Sequence, residues 1–220
     1  MKRILILTAG FGEGHNSAAR GVRAGLARVA PRVEVELRDL FPETFGALSE
    51  IVRRAYLALI NRSPKSWGYV YNWLDQIRNF DERFQRFRGL KKNLGRLLDR
   101  FQPDAIVSTF PPYPYLVQQI LGNERRCKNI AIITDSITVN AIWYRSPANY
   151  FIVANEQSAA VVRDGGVAPE KQIQLALFLA SERSNHISGK LIHVNDDWKR
   201  LEQENMRAEM YTLRRVQKGS

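Results

Sequence analysis

RILILTAGFGEGHNSAARGVRAGL, residues 3–26, decides the fold. Residues 3–8 are a short, continuous apolar run, the pattern of a strand covered on both faces. Gly10, Gly12 and Gly14 follow closely, and the alanine-rich stretch 16–29 then reads as a helix. Strand, glycine turn and helix open a parallel βαβ unit. VEVELRDL, residues 33–40, supplies the next strand; it alternates apolar and polar residues and ends on Asp39, as second strands of nucleotide-binding units often do.

From Phe41 to Phe101 no strand-like run occurs. Residues 49–61, 66–79 and 81–100 read instead as amphipathic helices broken near Pro64 and Phe80, so 41–101 is expected to be a helical insertion. Three further strands are predicted at 104–110, 129–135 and 149–156, with helical segments between and after them. The expected fold class is α/β, a Rossmann-like, doubly wound parallel sheet with a helical insertion. Such sheets bind ligands at the carboxyl ends of their strands, which fall here at 10–15, 109–112, 134–140 and 154–156.

The 220 residues are 45% hydrophobic and 25% charged, an ordinary globular composition that excludes disorder as an overall description. The single cysteine, Cys127, excludes a disulfide scaffold, and a reducing, cytoplasmic setting is expected. No window is long and apolar enough to span a bilayer. The net charge of +11 is concentrated: residues 51–100 carry 12 basic and 4 acidic side chains. That block also holds eight aromatic residues, Tyr56, Phe80, Phe84 and Phe87 among them. Basic and aromatic residues together suit a surface that meets anionic lipid headgroups. Trp67, Tyr69, Trp73, Arg83, Arg86, Arg88, Lys91 and Lys92 are therefore the candidate membrane-binding residues, and a peripheral membrane location is expected. No nucleic-acid motif accompanies the charge, and nucleic acid is not expected as a partner. A tail of different composition follows residue 172, its last part a strongly charged helix over 198–216.

The chemistry points to the glycine turn. Gly10, Gly12 and Gly14 let backbone approach a ligand, and the amides of the following helix favour an anion or oxyanion, with Asn16 beside them. The dinucleotide fingerprint is absent, because His15 stands where its last glycine is required. At a helix start the cationic form of His15 is disfavoured, which leaves a neutral imidazole suited to general-base work near pH 7. His186 and His193, seven residues apart, have no carboxylate or cysteine at ligand spacing, so no metal site is expected.

TAGFGEGHNSAARGVRAGL, residues 8–26, resembles the glycine-rich segment, roughly G-x-G-G-G-H-x-x-A-A, of the monogalactosyldiacylglycerol synthase and processive diacylglycerol glucosyltransferase family. Phe11 and Glu13 are the departures among the glycines. Further matches come in order: Pro103-Asp104 leading through Ser108 to Pro111, Ile133-Thr134-Asp135, Trp143 and Asn155-Glu156, together covering about residues 1–172. The resemblance implies the N-terminal, acceptor-binding half of a GT-B glycosyltransferase. Such enzymes transfer galactose or glucose from a UDP-sugar to diacylglycerol, with the helical insertion helping to dock lipid. On this reading His15 takes the proton of the acceptor hydroxyl, Asp135 orients His15 or that hydroxyl, and no cofactor is needed. Where the family commonly shows a histidine a few residues after Asp135, this sequence has Asn140, which cannot transfer a proton at neutral pH. The partners implied are diacylglycerol, anionic membrane lipids and a UDP-sugar; an oligomer is compatible with the sequence.

The family also implies a second Rossmann domain holding the donor, and this chain is expected to lack it. Phe178 to Val194 instead resembles the last helix and strand of short-chain dehydrogenases, although no tyrosine is followed four positions later by the lysine those enzymes use. The domains expected are thus 1–172 for acceptor and membrane binding and 173–220 as an atypical tail. The alternative is a noncatalytic membrane-surface module that uses the basic aromatic block.

Overall fold

In the computed structural model, which describes residues 1–62, 79–85, 87–122, 127–135 and 139–174, the opening apolar run forms β1, Arg3–Thr8. Its side chains alternate between two cores, Leu5 and Leu7 entering one and Ile4 and Ile6 the other. Helix α1, Glu13–Val29, covers the second face with Ala18, Ala19, Val22 and Leu26 at helical spacing. Strand β2, Glu34–Asp39, runs parallel to β1 with Thr8 beside Asp39.

Asp39 ends β2 and starts α2, Leu40–Phe45, by accepting a hydrogen bond from the Phe41 amide. Gly46 then turns the chain at φ 53°, ψ −131°, a conformation that favours glycine, into α3, Ala47–Arg62. Two more helices of the insertion are α4, Phe80–Phe84, and α5, Arg88–Phe101. The rest of the unit comprises β3, Ala105–Ser108; α6, Pro112–Leu121; β4, Lys128–Ile132; α7, Ala141–Tyr144; β5, Tyr150–Val153; α8, Glu156–Asp164; and β6, Gln172–Gln174. Side-chain caps start two of these helices, Asn140 on the Ile142 amide and Asn155 on the Ser158 amide.

All strand pairs are parallel, and the order is β2-β1-β3-β4-β5-β6. The α/β, Rossmann-like class is thus present, and it agrees with the N-terminal half of a GT-B fold. The order reverses between β1 and β3, so the crevice at their carboxyl ends is the topological switch point. Residues Met1–Gln174 form one compact unit.

Several expectations need correction. The helix predicted over 81–100 is interrupted, with Phe87 outside helical geometry at φ −78°, ψ 50°. Phe80 and Phe84 are 3% and 8% exposed and pack their rings 5.8 Å and 5.2 Å from Tyr115, so these two aromatics serve the core rather than a lipid surface. Phe80 and Phe84 of α4 and the leucines of α5 are all buried. The first strand spans the residues read for it and the second ends one residue early, whereas β3, β4 and β5 end two or three residues earlier than read; the first helix starts at Glu13, and α2 and β6 were not foreseen. The predicted helix at 66–79 except for its last residue, Trp67, Tyr69, Trp73, Arg86, the side chain of Arg83 and the tail after Gln174 lie outside the described residues. Among the described residues no helix is long and apolar enough to cross a membrane.

Candidate functional site at the sheet switch point

The glycine turn is pinned from below. Gly10 donates its amide to Asp39 Oδ2 at 2.8 Å, and a Cβ at Gly10 would stand 3.3 Å from that oxygen, so glycine lets the turn press onto the carboxylate. Asp39 Oδ1 takes the Phe41 amide at 3.0 Å. Burial raises the Asp39 pKa, and the two amides oppose it. Under the same corner the buried Tyr113 hydroxyl accepts from the Leu40 amide at 3.2 Å; burial first, and the charge of Asp39 second, keep it un-ionised. The acid that closes β2 therefore braces the turn. The far end of the turn is closed by Thr8, whose hydroxyl donates to Asn16 Oδ1 at 3.0 Å, so this candidate ligand-binding atom is engaged within the loop.

Gly12 is the N-cap of α1 in extended backbone and brings no capping side chain, while Gly14 and His15 occupy the second and third helical positions. His15 is thereby presented across the switch point toward the ends of β3 and β4. Its Nδ1 lies 2.9 Å from Thr134 Oγ1, a hydroxyl that can donate or accept and so serves either tautomer. The ring meets Phe110 edge-on at 5.2 Å and lies 6.3 Å from the Trp143 ring. Burial among these groups lowers the His15 pKa from 6.5, and a hydrogen bond with the Thr109 backbone partly restores it. The neutral ring keeps one nitrogen lone pair, the requirement for accepting a proton.

Asp135 follows Thr134. Its Oδ2 accepts the Trp143 indole N–H at 3.0 Å, and its carbonyl accepts from the Ser158 hydroxyl at 3.5 Å, which fixes the strand end to α7 and α8. Trp143 is 1% exposed, so one buried ring both abuts His15 and holds Asp135. From the insertion, Tyr56 of α3 comes close enough to Asp135 for its pKa to be raised, chiefly by burial and further by that negative charge. Asn140, at the position of the missing histidine, is 2% exposed, and its Oδ1 caps α7.

The structure thus brings His15, Asp135 and the glycine turn together. Thr134, Phe110, Trp143 and Tyr56 join them; sequence reading had placed Phe110 and Thr134 at ligand-binding strand ends, Trp143 in the motif match and Tyr56 in the basic aromatic block, without a separate role for any of them. The motif match around Ile133-Thr134-Asp135 was the available signal for Thr134. Arg88, Lys91 and Lys92 sit elsewhere, on α5, whose stripe of Leu90, Leu94, Leu97 and Leu98 is buried. Arg88, Lys92 and Arg96 are exposed and recur every four residues, which puts them in one row. Among the described residues no three His, Cys, Asp or Glu side chains group as a metal set.

A processive diacylglycerol beta-glucosyltransferase of Bacillus subtilis (strain 168) is 33% identical over 168 residues, 76% of this chain and 43% of the relative. A protein of the same name from Bacillus mycoides (strain KBAB4) is 26% identical over 195 residues, 87% of this chain and 48% of that one. The chain therefore spans somewhat less than half the length of these curated relatives. The sequence profile described as Monogalactosyldiacylglycerol (MGDG) synthase matches residues 15–175, starting on the histidine of the switch point, and the chain belongs to that family.

Proposed function

We propose that this chain is the acceptor-binding half of an inverting hexosyltransferase that moves a sugar from a UDP-sugar to diacylglycerol at a membrane surface. The observation that carries the reading is His15, held neutral by burial at the switch point with Thr134 and the Thr109 backbone fixing its ring. In the reaction, the acceptor oxygen forms its bond to the anomeric carbon as the bond to the UDP oxygen breaks. His15 takes the hydroxyl proton, and the electron pair leaves with UDP. Asp135, held by Trp143, orients the acceptor hydroxyl. The glycine turn lets the acceptor approach the helix start. Residues 1–172 form the acceptor domain and 173–220 a separate tail, a division supported by the compact unit over Met1–Gln174.

Transfer of labelled hexose from UDP-glucose or UDP-galactose to diacylglycerol in anionic liposomes tests the reading. The chain is assayed alone and with the carboxyl-terminal half of the Bacillus subtilis relative supplied in trans. His15→Ala is expected to lower transfer at least ~10³-fold, the upper part of what general-base catalysis together with proton placement contributes. Transfer unchanged by that substitution overturns the assignment. The row of Arg88, Lys92 and Arg96 favours a second reading, a noncatalytic module on anionic membranes, with sedimentation on liposomes and no turnover in either assay as its signature.

A further inference from the structure

Phe11 lies inside the glycine turn, and its ring is the hub of an aromatic rank. It stacks on Phe110 at 5.5 Å with 17° between the rings, and it meets Phe41 edge-on at 4.9 Å and Tyr56 at 5.9 Å. Phe110 in turn meets the His15 ring at 5.2 Å. The rank therefore runs from the proposed base, through the turn, to α3. Phe41 is 8% exposed and belongs to the core, but Phe11 and Phe110 stay partly exposed at its margin. Tyr56 carries the rank onto α3, and one and two turns earlier the same helix exposes Val52, Ile51 and Leu48 to 47%, 63% and 57%.

These surfaces suit hydrocarbon. A sugar in contact with Phe11 needs partners for its hydroxyls, whereas Phe11, Phe41 and Phe110 offer rings alone, with a single hydroxyl at Tyr56. An acyl-bearing glycerol has the opposite composition, one free hydroxyl attached to apolar chains. We propose that Phe11 is a specificity-determining residue of the acceptor site. Its exposed ring edge seats the first carbons of the acyl chains, so that the glycerol hydroxyl falls at His15 across Phe110. The proposal rests on the acceptor reading above and adds the element that distinguishes an acylated glycerol from a bare one.

The test titrates 1,2-dibutyrylglycerol and 1,2-dioctanoylglycerol, each below its solubility limit, into the full chain while the His15 ring resonances are followed by NMR. His15 is one of three histidines and is assigned from His15→Ala. In the wild-type chain, affinity is expected to rise at least tenfold from the shorter to the longer acceptor. In Phe11→Ala that gain shrinks below threefold, and in Phe11→Leu, which keeps an apolar side chain, it returns to within threefold of wild type. If Phe11→Ala loses its near-ultraviolet circular dichroism, Phe11→Gln replaces it against Phe11→Leu. Equal chain-length gains in wild type and Phe11→Ala (or its replacement) overturn the role of Phe11 and leave the acceptor reading standing. No saturable shift of wild-type His15 with either glycerol overturns both.

Discussion

His15 shows how burial sets chemistry at a single residue. Removing the imidazole from water penalises its cation, and this outweighs the hydrogen bond with the Thr109 backbone, so the folded pKa lies below 6.5. An NMR titration is expected to place the His15 midpoint below the model-peptide value; a midpoint at or above it would sink the argument. The linkage has a definite sign. The unfolded chain binds the proton more readily, so the contribution of His15 to stability is complete above pH 6.5. It is lost as pH falls from there toward the folded value. Transfer by the completed enzyme is expected to follow the same limb, level above pH 6.5 and falling below the folded pKa as the base becomes protonated. His15 itself was legible in the sequence, because a histidine closing a glycine turn before an alanine-rich helix is a local pattern. Its partner Thr134 was not, because the contact joins residues 119 apart and exists only once β1 and β4 stand in one sheet.

Asp39 does at the scale of elements what His15 does for the site: one side chain ties β2, the glycine turn and the start of α2. Both carboxylate oxygens accept backbone amides that would otherwise lack partners in a half-buried corner. Asp39→Ala is expected to lower unfolding stability by ~2 kcal/mol in a urea titration, the sum of a lost helix cap and a second lost amide bond. Asp39→Asn, with one acceptor oxygen, is expected to fall between. A loss below about 0.5 kcal/mol in Asp39→Ala would mean that solvent satisfies both amides. The same comparison explains which elements could be read from sequence. The run Ile4 to Leu7 and the stripe of Leu90, Leu94, Leu97 and Leu98 carry their own periodicity, so β1 and α5 were legible. Helix α2 contains Pro42 and is six residues long, and it exists because Asp39 caps it. Strand β6 is Gln-Ile-Gln, with no apolar run of its own, and it forms because β5 offers an edge for it. The split of 81–100 follows from Phe80 and Phe84 turning onto Tyr115, a tertiary demand that helical spacing does not contain.

Charge is a property of the whole molecule, and here it is unevenly spent: a net +11, most of it within residues 51–100. On α5 the leucine stripe faces the core and the row Arg88, Lys92, Arg96 faces outward, so the helix is held by packing while its cations stay available to a surface. Each basic side chain near an anionic bilayer contributes ~1 kcal/mol, so three in a row give ~3 kcal/mol, on the order of 100-fold in partitioning. Reversing all three to glutamate leaves the leucine stripe untouched, so the fold is expected to survive. Sedimentation of the variant with phosphatidylserine-containing liposomes is expected to weaken by more than about two orders of magnitude at ~0.1 M salt, since each glutamate adds repulsion to the lost attraction. Wild-type binding is expected to fall steeply as salt rises toward ~1 M, where screening shrinks to about 3 Å. Apolar anchoring predicts the reverse, since burial of side chains such as Ile51 and Leu48 is indifferent to ionic strength. Wild-type sedimentation that persists at high salt, together with a reversal variant that binds normally, would move the docking face from the row on α5 to the exposed apolar side of α3.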